Sequence, residues 1–232
     1  MIVSHANRYI FFRNPKTAST SISKGLVKYD KYCTEGFAKN PHGDIEAIIR
    51  RWEQVRQWVT EKAGIMKYFG DGVVHEIFPE DFEEYVKIVV VRNPWERILS
   101  AYLYLQSGAG GPTNDAEFKK FMKGAPSFSS FLSDLHPDVK CVMHMRDQMN
   151  WIRGRRDKKK PFVESNLIIR YERLSEGIEE LKKLCNLPDL KIDHYNKTDH
   201  THYTDYYTDK EAEIVYEMYK EDIDYLGYEF GK

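Results

Sequence analysis

The chain has 232 residues, of which 41% are hydrophobic and 31% are charged, and its formal net charge at pH 7 is −1. This length suits one α/β domain with a sizeable core, and the composition is that of a globular rather than a disordered chain. A nearly neutral molecule has no strong overall attraction for nucleic acid or anionic membranes, so any anion must be bound by a local arrangement.

No targeting segment is evident in the sequence. No stretch combines a basic region, an apolar core and a cleavage site, and no apolar run approaches the ~20 residues of a membrane span. The three cysteines, Cys33, Cys141 and Cys185, are far apart in the sequence, which is typical of reduced thiols. We therefore expect a cytoplasmic protein that forms a single domain over residues 1–232.

The N-terminal half contains two predicted strands, each followed by a predicted helix. A short apolar run predicts a strand at Arg8–Arg13, and a helix is predicted at Thr17–Tyr29. Apolar residues at three-four spacing predict a long helix over Asp44–Ala63. The β-branched run Lys87–Val91 predicts a buried strand, and Pro94 suits the first turn of the next helix.

The C-terminal half continues this alternation. A strand is predicted at Asn166–Arg170 and a helix at Ser175–Cys185. Thr208 and Glu211 have the spacing of a capping box at the start of a further helix. Its predicted buried face consists of Ile214, Val215, Met218 and Ile223. The alternation predicts an α/β fold with a central parallel sheet flanked by helices, and a ligand beyond the carboxyl ends of the strands.

The segment "NPKTASTSI" (residues 14–22) connects the first strand to its helix. A helix N-terminus offers unpaired backbone N–H groups and the positive end of the helix dipole, and Lys16 adds a full charge. The hydroxyl donors here are Thr17, Ser19, Thr20 and Ser21. The glycines of the phosphate-loop pattern GxxxxGK[ST] are missing, and no carboxylate is present for a metal. Taken alone, the segment favours an ordinary capped helix with an exposed lysine.

The segment "VVVRNPWERILSAY" (residues 89–102) is a second connection from a strand to a helix. We call residues 14–22 the first corner and residues 89–102 the second corner. Arg92 ends a buried strand, and Ser100 follows about two helical turns later. An arginine fork and a hydroxyl suit a terminal phosphate monoester. The alternative is that Arg92 and Arg97 pair with Glu96 or another carboxylate, which is the interpretation we prefer for Arg97.

Taken together, the two segments resemble the motifs of sulfotransferases that use 3′-phosphoadenosine 5′-phosphosulfate (PAPS). "NPKTASTSI" is similar to their 5′-phosphosulfate-binding motif, and "VVRNPWERILSAY" to their 3′-phosphate-binding motif. The segments "MRDQMNWI", "NLIIRYERL" and "NKTDHTHYTDYYTDKE" are similar to the middle and C-terminal sections of this family. The first motif has the form typical of carbohydrate sulfotransferases, and the segment "GVVHEIFPEDF" around His75 resembles the glycosaminoglycan 2-O-sulfotransferase branch. One departure is Ser19, which replaces the glycine most common in the first motif.

The resemblance implies a phosphate-loop-like fold and transfer of a sulfuryl group from PAPS to the hydroxyl of a carbohydrate-like acceptor, with no metal required. It implies that Lys16 stabilises the leaving phosphate and that His75, or Glu76 beside it, is the base. His144 is a second candidate base. The donor-binding residues it implies are Pro15, Lys16, Thr17, Ala18, Ser19, Thr20, Ser21, Arg92 and Ser100.

The acceptor is not encoded in a recognisable pattern. Arg153–Lys160 carries six positive charges in eight residues, which suits a solvated loop or the capture of an anionic glycan. Nucleic acid is a weaker option because no aromatic residues are interleaved with these charges. We expect a small-molecule or glycan acceptor, no nucleic-acid partner and no membrane partner; the sequence leaves the oligomeric state open.

Two other functions remain open at this point. A phosphotransferase that uses a nucleoside triphosphate predicts magnesium dependence and a carboxylate at the tip of a neighbouring strand. A non-catalytic nucleotide- or glycan-binding module predicts that replacement of His75, Glu76 or His144 leaves binding unchanged.

Overall fold

The computed structural model describes residues 2–4, 6–29, 84–108, 116, 118–120, 127–133, 135–154, 163–192 and 201–232. The chain forms two compact units, and each is assembled from three separate stretches. The first unit comprises Met1–Asn14, Ser19–Val90 and Asn150–Tyr195. The second unit comprises Pro15–Ala18, Val91–Met149 and Asn196–Lys232. The prediction of a single domain stays a prediction.

The first unit is built on a mixed sheet. The strands whose bounds are described are β1 (Ile2–Ser4), β2 (Tyr9–Phe12), β3 (Val86–Val91), β4 (Arg153–Gly154), β5 (Val163–Glu164) and β6 (Leu167–Arg170). The main sheet has the order β1-β2-β3-β6, and β4 pairs with β5 in a separate antiparallel ribbon. Strands β2, β3 and β6 form a parallel sheet, and β1 adds an antiparallel edge. The predicted α/β class with a central parallel sheet is confirmed.

The helices follow the strands as expected of an α/β fold. Those with described bounds are α1 (Ser19–Leu26), α2 (Pro94–Gln106), α3 (Phe128–Ser133), α4 (Met149–Ile152), α5 (Leu174–Leu184), α6 (Asp209–Met218) and α7 (Lys220–Leu226). Short 3-10 helices lie at Val27–Tyr29, Pro137–Cys141, Met143–Met145, Tyr171–Arg173 and Tyr203–Tyr206. None of the helices in the described ranges is long and apolar enough to cross a membrane.

The core of the first unit forms where α1 and α5 cover the sheet. Phe11 and Ile88 are paired residues of β2 and β3, and both belong to a buried cluster that also contains Ile22 of α1 and Leu181 of α5. The residues that alternate with them, such as Val89, are fully buried as well. Strands buried on both faces explain why β2 and β3 have continuous apolar runs rather than an alternating pattern.

The second unit is held together by α2 and the C-terminal helices. Asn93 caps α2, since its side chain accepts a hydrogen bond from the backbone N–H of Trp95 at 3.1 Å. The indole N–H of Trp95 donates to the carbonyl of Ala212 in α6 at 2.8 Å. The predicted capping box of Thr208 and Glu211 is present at the start of α6.

The element bounds agree with the sequence in most places. The strands and helices predicted around residues 8–13, 87–91, 166–170 and 175–185 are confirmed, and each of their ends lies within one residue of its predicted position. The predicted C-terminal helix is divided at Tyr219, where φ is −117° and ψ is 27°. Within this region Val215 and Ile223 are buried as predicted, whereas Ile214 and Met218 are half-buried. The helix predicted over Asp44–Ala63 lies outside the described residues.

Candidate active site

The loop between β2 and α1 has an unusual backbone. Lys16 has φ of 65° and Ala18 has φ of 58°, in the left-handed region that favours glycine. Successive N–H groups in a loop that visits this region can form a concave site for an anion. The two left-handed residues also explain why α1 begins at Ser19 and not at the predicted Thr17. Lys16 and Ala18 therefore adopt a backbone conformation that is typical of glycine, although both have side chains.

The hydroxyl residues of the first corner are largely buried. Thr17 is fully buried, Ser19 and Ser21 are each 3% exposed, and Thr20 is half-buried. Ser19, Thr20 and Ser21 form the first turn of α1, where backbone N–H groups have no acceptor within the helix. Ser19 does not have a positive φ, so its side chain introduces no strain at the position where the motif that it resembles commonly has glycine.

Lys16 has a lowered pKa and an aromatic partner. Its ammonium nitrogen lies 3.9 Å from the ring centroid of Tyr104 in α2, a cation–π contact. Burial, and secondarily repulsion by Arg92, lowers the pKa of Lys16 from 10.5 to about 8. The Tyr104 ring also contacts the His144 ring, and the two ring centroids are 5.1 Å apart.

Arg92 connects the second corner to the loop. Its Nη1 donates to the backbone carbonyl of Lys16 at 3.2 Å, and its Nη2 donates to Oε1 of Glu96 at 2.7 Å. Arg92 is 6% exposed, so this ion pair lies largely out of water. The pairing of Arg92 with Glu96, which the sequence left as an alternative, is therefore present. It orients the guanidinium of Arg92 beside the loop between β2 and α1.

Arg97 has a structural position within the second unit. It is fully buried, and its guanidinium donates to the carbonyls of His144 and Arg146 at 3.3 and 2.5 Å. The expectation that Arg97 pairs with a carboxylate is wrong in its choice of acceptor. Backbone carbonyls take that place because the 3-10 segment around His144 directs them toward α2.

The remaining predicted site residues are placed as follows. Ser100 lies in α2, two turns beyond Arg92, and is 2% exposed, while Pro15 is buried and Ala18 is half-buried. His144 is 5% exposed and contacts the same tyrosine ring as Lys16. The two candidate bases, His75 and Glu76, lie outside the described residues, so their roles stay predictions.

Two residues of this site, Tyr104 and Gln148, were not among the predicted site residues. Tyr104, which holds the ammonium of Lys16, is a tyrosine on an apolar helix and gives no separate signal. Gln148 is fully buried, and its side-chain amide bonds to both backbone groups of Arg92. No local pattern could have revealed this contact, because Gln148 and Arg92 are 56 positions apart in the sequence.

The part of the site that the structure describes offers cations and hydroxyls. Across the described ranges, no three His, Cys, Asp or Glu side chains are arranged to hold a metal ion. Metal independence stays a prediction.

The comparison with protein families agrees with the motifs on the two corners. The model of the family described as "Sulfotransferase family" matches residues 1–229 of the chain. No curated protein and no solved structure matches this chain. The matched region includes the left-handed loop, Arg92 and α2, together with both units of the fold. This chain therefore belongs to the sulfotransferase family.

Proposed function

We propose that the protein transfers a sulfuryl group from PAPS to a hydroxyl group of a carbohydrate-like acceptor. One observation above all supports this proposal: Arg92 bonds to the carbonyl of Lys16, so the cations of the two motifs are neighbours. A donor with anionic groups at both the 3′ and 5′ positions needs two such cationic corners.

Each residue at the two corners has a proposed task. The backbone N–H groups of the loop and the hydroxyls of Thr17, Ser19, Thr20 and Ser21 bind the 5′-phosphate. Arg92 and Ser100 bind the 3′-phosphate, with the fork geometry that arginine offers to phosphate oxygens. Pro15 and Ala18 fix the loop on either side of Lys16 and Thr17.

Lys16 acts on the group that leaves. The acceptor oxygen bonds to sulfur while the bond from sulfur to the bridging oxygen breaks, and the electron pair remains on the phosphate. The ammonium of Lys16 stabilises this developing charge, and at neutral pH it is charged because its pKa is about 8. His75 or Glu76 takes the acceptor proton, and His144 is the second candidate for this role. The products are a sulfate ester and 3′-phosphoadenosine 5′-phosphate (PAP).

The first test is a calorimetric titration with PAP in EDTA, compared with ATP and AMP. We expect metal-independent binding of PAP and much weaker binding of AMP. A lack of preference for the 3′-phosphate, or a requirement for magnesium, would contradict the proposal and favour a phosphotransferase.

The second test separates the tasks of the two cations. Lys16→Ala should reduce turnover about 100-fold or more and change donor affinity far less, because its contact strengthens in the transition state. Arg92→Ala should weaken PAP binding about 10- to 100-fold through loss of charged hydrogen bonds. The exposed Lys28 and Arg173 supply matched controls as alanine variants. Unchanged turnover in Lys16→Ala together with unchanged affinity in Arg92→Ala would refute the two-corner arrangement.

A further inference from the structure

The backbone of Arg92 is held by a side chain where β3 has ended. The N–H of Arg92 donates to Oε1 of Gln148 at 2.9 Å, and Nε2 of Gln148 donates to the carbonyl of Arg92 at 2.8 Å. A primary amide thus takes the place of a neighbouring strand, with one donor and one acceptor. The opposite orientation of the amide would place donor against donor, so the assignment of its oxygen and nitrogen is fixed by both bonds.

Gln148 is itself held by a buried carboxylate of α7. Asp222 is fully buried; its Oδ2 accepts from the N–H of Gln148 at 2.7 Å, and its Oδ1 accepts from the N–H of Met149 at 2.9 Å. The carboxylate therefore satisfies two N–H groups at the start of α4. A buried carboxylate without hydrogen-bond partners is costly, so the two bonds offset the cost of burying Asp222. They also hold the start of α4 against α7.

These contacts form one continuous chain of hydrogen bonds. It runs from Asp222 to the backbone of Gln148, through the Gln148 side chain to the backbone of Arg92, and from the Arg92 guanidinium to Lys16 and Glu96. Fixing both backbone groups of Arg92 fixes the direction in which its Cα–Cβ bond leaves the chain. A small rotation there would displace the guanidinium at the far end of the long side chain.

We propose that Gln148 is a positioning residue that aims the guanidinium of Arg92 at the 3′-phosphate of the donor, and that Asp222 acts through it. This inference rests on the proposed function. It assigns Gln148 a role in recognising the 3′-phosphate specifically, rather than in general support of the fold.

The test is the ratio of PAP affinity to AMP affinity, measured by calorimetry. Gln148→Met keeps the length of the side chain and removes both hydrogen bonds to Arg92. We expect PAP affinity to fall about tenfold, as for the loss of hydrogen bonds that orient a charged group, while AMP affinity changes little. The ratio therefore falls about tenfold as well. A purely structural role would lower both affinities together, or lower only the thermal stability.

Tyr219→Phe is the matched control. The hydroxyl of Tyr219 donates to the carbonyl of Met145 at 2.7 Å, so this variant also removes a buried hydrogen bond to the segment before Gln148. Because this hydroxyl bonds to the backbone of Met145 and not to Arg92, we expect Tyr219→Phe to lower the melting temperature with an unchanged affinity ratio. Asp222→Asn should lower the ratio in the same direction, and its effect should not add to that of Gln148→Met because both act through one contact.

Gln148→Glu decides the matter if Gln148→Met does not fold. Glutamate keeps the shape and one acceptor for the N–H of Arg92 but loses the donor to its carbonyl, so the affinity ratio should still fall. A wild-type preference for PAP that persists in the folded Gln148 variant would overturn this inference and leave the proposed function intact. A wild-type protein without preference for PAP would overturn both.

Discussion

Replacement of Lys16 by methionine should make the protein more stable and less active at the same time. Burial and Arg92 lower the pKa of Lys16 from 10.5 to about 8. Because one pKa unit corresponds to about 1.4 kcal/mol, keeping the ammonium charged in the folded protein costs up to about 3 kcal/mol. Partial solvent access and the contact with Tyr104 reduce this cost, so we expect Lys16→Met to raise the free energy of unfolding by about 1–2 kcal/mol at pH 7.

The gain should depend on pH in a defined direction. The folded-state pKa of Lys16 lies below its ordinary value, so the wild-type protein gains stability as pH rises from about 8 toward 10.5. The variant has no group that titrates there. The difference in stability between the two proteins should therefore be complete below about pH 8 and should vanish by about pH 10.5.

Urea unfolding followed by tryptophan fluorescence from pH 7 to 10 measures this difference directly. Lys28→Met is the matched control, since Lys28 is exposed, and its unfolding midpoint should remain close to that of the wild type. If Lys16→Met were less stable than the wild type at pH 7, or if the difference stayed constant with pH, the electrostatic reasoning about this loop would be refuted.

Three further outcomes are expected. The value of kcat/KM for the donor should fall about tenfold per unit above pH 8 as Lys16 loses its proton in the free enzyme, and Lys16→Arg should remove this decline in a pH–rate profile. In urea unfolding, Gly177→Ala should cost about 1–3 kcal/mol because a Cβ there would overlap the side chain of Ile169; an equal loss in the exposed Ser175→Ala would contradict this cause. Thr208→Ala should cost about 1 kcal/mol in the same assay through loss of the helix cap, and serine at this position should restore it.

The sequence predicts those parts of the fold that depend on neighbouring residues. The β-branched run of β3 and the capping box before α6 are local patterns, and both are present. The start of α1 was wrong by two residues because Lys16 and Ala18 adopt a left-handed backbone without the glycine that would signal it. The division of the last helix at Tyr219 likewise has no glycine or proline to mark it.

In the candidate site, too, the sequence predicts residues in local motifs and does not predict residues whose contacts are distant in the chain. Lys16 and Arg92 could be predicted as candidate site residues because each lies within a short motif at the end of a strand. The residues that hold them could not be found, because Tyr104 and Gln148 are distant in the sequence from the cations they contact. Arg97 illustrates the intermediate case: its structural character was foreseen, but its carbonyl partners depend on a 3-10 segment that no periodicity reveals.

The interleaving of the two units has a consequence for synthesis on the ribosome. Pro15–Ala18 belongs to a unit whose last stretch, Asn196–Lys232, is separated from it by about 180 residues. At a translation rate of about 5–20 residues per second, the loop leaves the ribosome roughly 10–35 s before that stretch. We therefore expect the second unit to complete its folding only near the end of translation, with the apolar faces of α2 accessible to chaperones until then.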